Sequence, residues 1–156
     1  MSWCKTALSI SFVLCLVVLQ GCGMGAKKPD WLPKLTPCKI TLTQEGIPVD
    51  GANINIVAPP GAEPLEWLIF GSSDEKGVVY PLVQIYKGVP QGEYIVTVEK
   101  FDNEYTNDIN HPLNEYLVID PQYVSPATST LKLIVGDSPV DQTFDLGKPV
   151  RIKRKN

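Results

Sequence analysis

Residues that could build a catalytic or metal centre are scarce in this chain. One histidine, His111, occurs among 156 residues, and of the four cysteines only Cys38 lies beyond position 22. A zinc site needs three or four ligands, and a hydrolase triad needs a base beside a nucleophile and an orienting acid. Neither arrangement is visible around His111. The sequence therefore predicts no catalytic residue, no metal and no cofactor, and a hydrolase is the least favoured interpretation.

An excess of positive charge is also missing. The chain holds 14 Lys and Arg residues against 17 Asp and Glu residues, a net charge of −3. Such a chain is no electrostatic candidate for nucleic acid. The basic residues gather at the C-terminal end, where they predict a solvated tail, with contact to an anionic surface as the alternative. These residues are Arg151, Lys153, Arg154 and Lys155.

Helical periodicity is absent as well. Fourteen prolines and twelve glycines punctuate the chain, and no apolar set recurs for long at intervals of three and four residues. From Cys38 onward apolar residues instead alternate with polar ones, which is the pattern of half-buried strands. About seven short strands, roughly ten residues apart, predict an all-β fold, a single antiparallel sandwich of Ig-like or transthyretin-like type.

Turn residues between the alternating runs predict two hairpins. The run around Ile40 and Leu42 is separated by Glu-Gly and Asp-Gly turns from the run around Ile54 and Ile56. A second hairpin is predicted where residues 67–70 lead through a turn at 74–77 into residues 78–80. Residues 92–99 should form a central strand, and further strands should contain residues 131–135, 144–146 and 150–152.

A hydrophobic run long enough to span a membrane is missing too. The apolar stretch from Ala7 to Leu19 has 13 residues, whereas a spanning helix needs roughly 20. With Lys5 before it and Gln20, Gly21 and Cys22 after it, the stretch predicts an exported signal peptide over residues 1–21. Loss of Lys5 with this leader would leave 13 basic and 17 acidic residues, a net charge of −4.

The end of this leader resembles a bacterial lipobox. Leu19-Gln20-Gly21-Cys22 places a cysteine after a small residue and a leucine three positions before it. The resemblance implies that Cys22 is acylated and holds the protein at a membrane through its acyl chains, each buried methylene contributing about 0.8 kcal/mol. Gly23 follows in place of an aspartate, which favours the outer membrane. An ordinary secretory signal and an uncleaved anchor are the alternatives.

The remaining chain divides by composition. Residues 22–37 are rich in glycine and proline, and we interpret them as the lipidated cysteine and a flexible tether. Residues 38–153 form the predicted sandwich, and residues 154–156 form a basic tail. Cys38 opens the first alternating run, so we expect a half-buried core thiol, with a reactive or intermolecular thiol as the alternative.

Several motifs of this chain resemble carboxypeptidase regulatory-like, or transthyretin-like, domains. They are Gly46-Ile-Pro-Val-Asp-Gly-Ala-Asn-Ile-Asn-Ile-Val, Ser72-Ser-Asp-Glu-Lys-Gly-Val-Val and Val89-Pro-Gln-Gly-Glu-Tyr-Ile-Val-Thr-Val. Tyr123-Val-Ser-Pro-Ala-Thr-Ser-Thr-Leu131, followed by Phe-Asp-Leu at residues 144–146, resembles a branch of small bacterial lipoproteins. The resemblance covers residues 38–147 and implies a fold and a location rather than a reaction. Because the transthyretin fold carries ligands between subunits, an oligomeric small-ligand carrier is an alternative.

The polar stretch from residue 101 to residue 115 is the expected recognition site. It is rich in asparagine and poor in apolar residues, which predicts a mobile loop on a rigid scaffold. A weak calcium site and a sugar-stacking face that includes Tyr105 and Tyr116 are alternatives. The candidate residues are Asp102, Glu104, Tyr105, Asp108 and Tyr116.

These observations together predict a non-catalytic lipoprotein of the cell envelope. Its sandwich would act as a binding or structural module toward an envelope protein or a polysaccharide. An oligomeric carrier stays the first alternative, and an envelope hydrolase with His111 as base stays the least favoured one.

Overall fold

The computed structural model describes residues 29–105 and 113–153. The chain divides into two compact units, Met1–Leu32 and Pro33–Asn156. In the described part of the first unit, the Leu32 amide donates to the carbonyl of Pro29 at 3.1 Å, which makes one turn. No helix within the described residues is long and apolar enough to cross a membrane.

Nearly all of the regular secondary structure in the described part of the second unit is strand, which confirms the all-β class. Eight of its described strands are four residues or longer and seven have two residues, so the predicted count of about seven strands is not confirmed. One short 3₁₀ helix spans Pro121–Tyr123. In chain order the strands are β1 (Leu35–Thr36), β2 (Cys38–Gln44), β3 (Ile47–Pro48), β4 (Asn53–Val57), β5 (Ile69–Ser72), β6 (Val78–Val79), β7 (Leu82–Val83), β8 (Tyr86–Lys87), β9 (Val89–Pro90), β10 (Gly92–Glu99), β11 (Phe101–Tyr105), β12 (Leu113–Leu117), β13 (Lys132–Val135), β14 (Val140–Asp145) and β15 (Ile152–Lys153).

The largest sheet has the strand order β13-β10-β4-β5-β7-β8, and all its pairs are antiparallel. The predicted central strand is confirmed, because β10 lies between β13 and β4. Along β13 the burial alternates as the sequence indicates, with Leu133 and Val135 buried and Lys132 and Ile134 exposed. One face of this sheet is therefore apolar and turned to the core, since side chains alternate across a strand.

The second sheet has the order β14-β2-β3, with β6 also paired to β2. Its longest pair, β2 with β14, runs parallel from Cys38 opposite Val140 to Thr43 opposite Asp145. This pair departs from the predicted antiparallel sandwich. A parallel pair needs a long connection between its strands, and here nearly the whole domain lies between β2 and β14. The Asp145 carboxylate also accepts from the Glu45 and Gly46 amides at 3.2 Å, which holds the end of β14 to the turn after β2.

Both predicted hairpins are wrong in their pairing. β2 and β4 lie in different sheets, and so do β5 and β6. The Glu-Gly turn joins β2 to the short strand β3, after which the chain crosses to the large sheet. The turn at residues 74–77 likewise carries the chain from one sheet to the other. Apolar alternation shows that a strand has one buried face, but it does not identify the neighbouring strand.

The core lies between the apolar faces of these two sheets. Its inward side chains come from the positions that the alternation predicts, and full burial of each contributes roughly 1.5–3 kcal/mol. The fully buried ones include Ile40, Leu42, Ile54, Ile56, Ile69, Val79, Val83, Val96, Val98, Leu133 and Leu146.

The folded sheets begin before the predicted boundary at Cys38. β1, within the predicted tether, pairs with β9. Thr36 is buried, and its Oγ1 donates to the carbonyl of Gly136 at 2.7 Å. The last residues of the predicted tether are therefore part of the domain, because their backbone and side-chain polar groups are satisfied inside it.

A third sheet replaces the predicted mobile loop. β11 and β12 pair antiparallel over five residues each, and β15 adds to β12. The prediction of a loop from 101 to 115 is therefore wrong for residues 101–105 and 113–115. Polar composition concealed a two-stranded ribbon, because backbone pairing and a few apolar residues such as Phe101 and Leu117 are enough when a sheet is exposed on one side. Residues 106–112, with Asp108 and His111, lie outside the described part.

Candidate functional site

Three of the five predicted recognition residues meet on one face of the ribbon. Asp102 on β11 lies directly opposite Tyr116 on β12, and Glu104 follows two residues later on the same face. Tyr105 ends β11, but its side chain lies outside the described part of the chain, as does all of Asp108. The sequence therefore identified this surface but assigned it the wrong backbone conformation.

Arg151 completes this cluster, although the sequence placed it in a solvated basic tail. Its guanidinium lies 2.9 Å from the Glu104 carboxylate and 3.7 Å from that of Asp102. It also lies 4.0 Å from the centroid of the Tyr116 ring, in cation–π geometry. No local pattern pairs position 151 with positions almost 50 residues earlier, so sequence reasoning had no signal for it. We call these four residues the ribbon cluster.

The ribbon cluster is an exposed clasp rather than a free recognition surface. The three charged side chains are each a little more than half exposed, and exposed ion pairs contribute about 0–1 kcal/mol each. The guanidinium neutralises much of the local negative charge and covers one face of Tyr116, so this ring face does not offer a stacking platform for a sugar. Within the residues that the structure describes, no group of three or more His, Cys, Asp or Glu side chains could hold a metal ion.

An apolar groove of about 600 Å³ lies on the outer face of the largest sheet. Its floor is formed by side chains that point away from the core on two neighbouring strands, Asn55 and Val57 on β4 and Thr97 on β10. The connection from β4 to β5 forms one wall, and a segment before β13 forms the other. We call it the outer groove; its walls include Ala58, Pro59, Pro60, Gly61, Ala62, Pro64, Leu65, Trp67, Leu68, Val124 and Pro126.

The segment that forms the second wall is pinned to β10. Ser129, which is buried, donates its hydroxyl hydrogen to the carbonyl of Val96 at 2.6 Å. Thr128 donates to the carbonyl of Gln122 at 2.7 Å, and Asp120 caps the 3₁₀ helix by accepting from the Gln122 amide at 2.9 Å. Residues 120–129 thus form a fixed wall beside the groove, since their polar side chains bond both to the segment's own backbone and to β10.

The first wall is rich in proline and contains an unpaired buried donor. Pro59, Pro60 and Pro64 limit the backbone freedom of the connection. Trp67 lines the groove, and its Nε1 is shielded from solvent and has no hydrogen-bond partner among the described residues. A buried donor in this state costs about 1–3 kcal/mol. Leu68 beside it is 77% exposed on the groove rim. The sequence predicted only a strand at these positions.

Among the residues that the structure describes, no charged side chain lines the outer groove. Glu63 and Glu66 are exposed on the same connection, and residues 58–68 include no Lys or Arg. The groove can therefore accept an apolar body and a few hydrogen bonds, whereas an anion would find no partner for its charge there.

Cys38 lies in the core side of a smaller depression of about 380 Å³, beside the Lys39–Asp141 ion pair. It is 5% exposed, so the predicted core thiol is confirmed and is buried more fully than expected. Burial, assisted by the negative charge of Asp141, raises the pKa of the thiol to about 11. At neutral pH this thiol is protonated and weakly nucleophilic.

Comparison with known proteins gives little for this chain. No family model matches it, and no curated protein matches it. Among solved structures, a 9R-lipoxygenase from Cyanothece PCC8801 is 16% identical over 77% of this chain, with a TM-score of 0.34. The chain spans 18% of the length of that lipoxygenase chain. At this TM-score the similarity supports no statement about shared fold or activity.

Proposed function

We propose that this chain is an exported, lipid-anchored, non-catalytic protein of the cell envelope, and that its β-sandwich binds a ligand in the outer groove. The groove itself is the observation that carries this proposal. Its volume of about 600 Å³ falls within the range of about 300–1,000 Å³ for small-molecule sites. Its floor is a paired sheet and one wall is pinned by hydrogen bonds, so the site is formed by a single chain and needs no oligomer.

The anchor part of the proposal rests on the leader and Cys22, which lie outside the described residues. Acyl chains on Cys22 would hold the protein at a membrane, the outer one in a cell with two membranes, while the domain stays in water. Radiolabelled palmitate is expected to enter the wild-type protein and not a Cys22→Ala variant, and membrane fractionation should follow the label. Equal labelling of the two proteins would contradict the anchor.

The binding part can be tested in intact cells with a photo-crosslinking amino acid at single positions. Leu68 is on the groove rim, whereas Ile134, 68% exposed on β13, is a matched apolar position of the same sheet outside the groove lining. We expect a light-dependent adduct, read by the intact mass of the purified protein, from position 68 and none from position 134. Equal capture at both positions, or none at position 68, would count against the groove.

The ribbon cluster is the competing surface in the same experiment. A crosslinker at Glu104 samples the site that the sequence favoured. An adduct at position 104 without one at position 68 would transfer the binding function to the ribbon.

A further inference from the structure

We infer that the outer groove binds an uncharged, apolar small molecule that carries a hydrogen-bond acceptor, and that the Trp67 indole donates to this acceptor. This inference rests on the proposed binding function and specifies its ligand. The apolar lining of the groove, the lack of charge among its described lining residues and the unpaired N–H of Trp67 each restrict the ligand separately.

The lining requires a mostly apolar ligand. Both walls are made of proline, alanine, leucine, valine and tryptophan side chains. The polar groups of the floor are few, and the Thr97 hydroxyl is already directed to the carbonyl of Asn55 at 3.4 Å. A sugar chain would leave most of its hydroxyls without partners there, which is unfavourable. The outer groove therefore does not favour a polysaccharide ligand.

The absence of a countercharge in the lining favours a neutral ligand. No Lys, Arg or His of the described part of the chain lines the groove, and the adjoining connection adds two negative charges, Glu63 and Glu66, and no positive one. A carboxylate or sulfonate would lose its hydration without gaining an ion pair. A long-chain fatty acid is therefore disfavoured against a neutral ketone, ester or amide of similar size.

The buried indole N–H of Trp67 is the feature that favours a ligand with a hydrogen-bond acceptor. Among side-chain nitrogen and oxygen atoms of the described residues, Trp67 Nε1 is the buried one that lacks a partner. Because the atom is covered, an acceptor reaches it when the indole turns toward the groove or the exposed residues of the connection move outward. The unpaired Trp67 N–H makes the arrangement with a covered Nε1 less favourable. A ligand that supplies an acceptor therefore favours the arrangement in which the indole N–H faces the groove.

Two neutral probes and one anionic probe test this assignment on the full-length chain in lipid nanodiscs, with empty discs as background. Prodan is a neutral naphthalene ketone, and the corresponding naphthalene amine without the ketone is its matched partner. Anilinonaphthalene sulfonate supplies a similar ring system with a negative charge. We expect Prodan to bind tighter than the other two, with an emission that reports a hydrogen bond to its carbonyl.

Three variants locate the site and its donor. Trp67→Phe keeps a ring and removes the N–H, and should weaken Prodan about 3- to 10-fold while leaving the amine unchanged. Leu68→Asp places a charge on the exposed rim and should weaken both neutral probes. Ile134→Asp is the matched control on the same sheet and should change neither, and circular dichroism of each variant checks that the β fold is retained.

The outcomes distinguish a failure of the ligand assignment from a failure of the proposed binding function. Tighter binding of the sulfonate, or an equal effect of Trp67→Phe on ketone and amine, would overturn the assignment even if position 68 captures a ligand in cells. A Prodan preference that is lost in Trp67→Phe and retained in Ile134→Asp supports it. Capture failing in cells while Prodan behaves as expected would contradict the proposed function and leave the chemistry of the groove supported.

Discussion

The hydroxyl of Ser73 stabilises the point at which the chain crosses from one sheet to the other. The residue follows β5, where the chain leaves the largest sheet. Its Oγ donates to the carbonyl of Val49 at 2.6 Å and accepts from the amide of Ala52 at 2.8 Å. All three residues are buried. One hydroxyl therefore ties together two stretches of chain that are more than 20 residues apart.

The Ser73→Ala substitution should lower the free energy of unfolding by about 2–4 kcal/mol. Two hydrogen bonds, each with a net contribution of about 0.5–1.5 kcal/mol, are lost, and the Val49 carbonyl and Ala52 amide are left buried without that partner. An unsatisfied buried group costs about 1–3 kcal/mol, and a shift of the backbone or entry of a water recovers part of it. Against a typical total of 5–15 kcal/mol, this is a large loss.

Urea unfolding followed by tryptophan fluorescence measures the loss, and the neighbouring serine supplies the control. Ser72 is exposed, and its hydroxyl donates to the side chain of Asn53. Because that bond is open to water, Ser72→Ala should cost less than about 0.5 kcal/mol. Equal losses for the two variants, or a loss below about 1 kcal/mol for Ser73→Ala, would refute the role assigned to the buried hydroxyl.

Three further predictions concern other parts of the fold. Gly77→Ala should destabilise the protein more than Gly46→Ala. Both glycines have positive φ, which costs an L-residue about 1–2 kcal/mol, but a β-carbon at Gly77 would also overlap with backbone, whereas the space at Gly46 is open. Equal unfolding midpoints of the two variants would contradict this. Arg151→Lys should lower the free energy of unfolding by less than about 1 kcal/mol yet speed amide exchange in β12 and β15, and exchange like that of the wild type would argue against the clasp. The thiol of Cys38 should resist a disulfide reagent at pH 8 until the protein unfolds. Because folding raises the pKa of this thiol from the ordinary 9.0 to about 11, the folded state holds the proton more tightly, and the free energy of unfolding should fall as the pH rises from about 9 toward 11. A Cys38→Ser variant should lack this pH dependence. Rapid modification of the thiol in the native protein would contradict its burial.

The strands that sequence reasoning located well are those whose burial follows from local alternation. β10 and β13 were located from period-two patterns alone, because every second side chain of such a strand faces the core. β1 was not predicted, since a strand of two residues among prolines shows no apolar–polar alternation. Thr36 belongs to the fold through its contacts with Gly136, 100 residues later.

The ribbon cluster and the outer groove differ in how much of each could be predicted from the sequence. Asp102, Glu104 and Tyr116 stood out as a polar group, and the register of β11 with β12 places them on one face of the ribbon. Arg151 was missed because its partners lie far away in the chain. The outer groove was missed entirely, because β4, β10, the connection after β4 and the segment before β13 contribute separately to its lining.

The amino-acid sequence alone was sufficient for the all-β class, the positions of the main apolar side chains and the burial of Cys38, because these depend on patterns within a few residues. The pairing of strands, the parallel contact of β2 with β14, the clasp around Arg151 and the groove beside Trp67 were decided only by the tertiary structure. Each of them depends on which distant segments lie next to each other, and the energies that select those neighbours are sums over contacts that no single stretch of sequence contains.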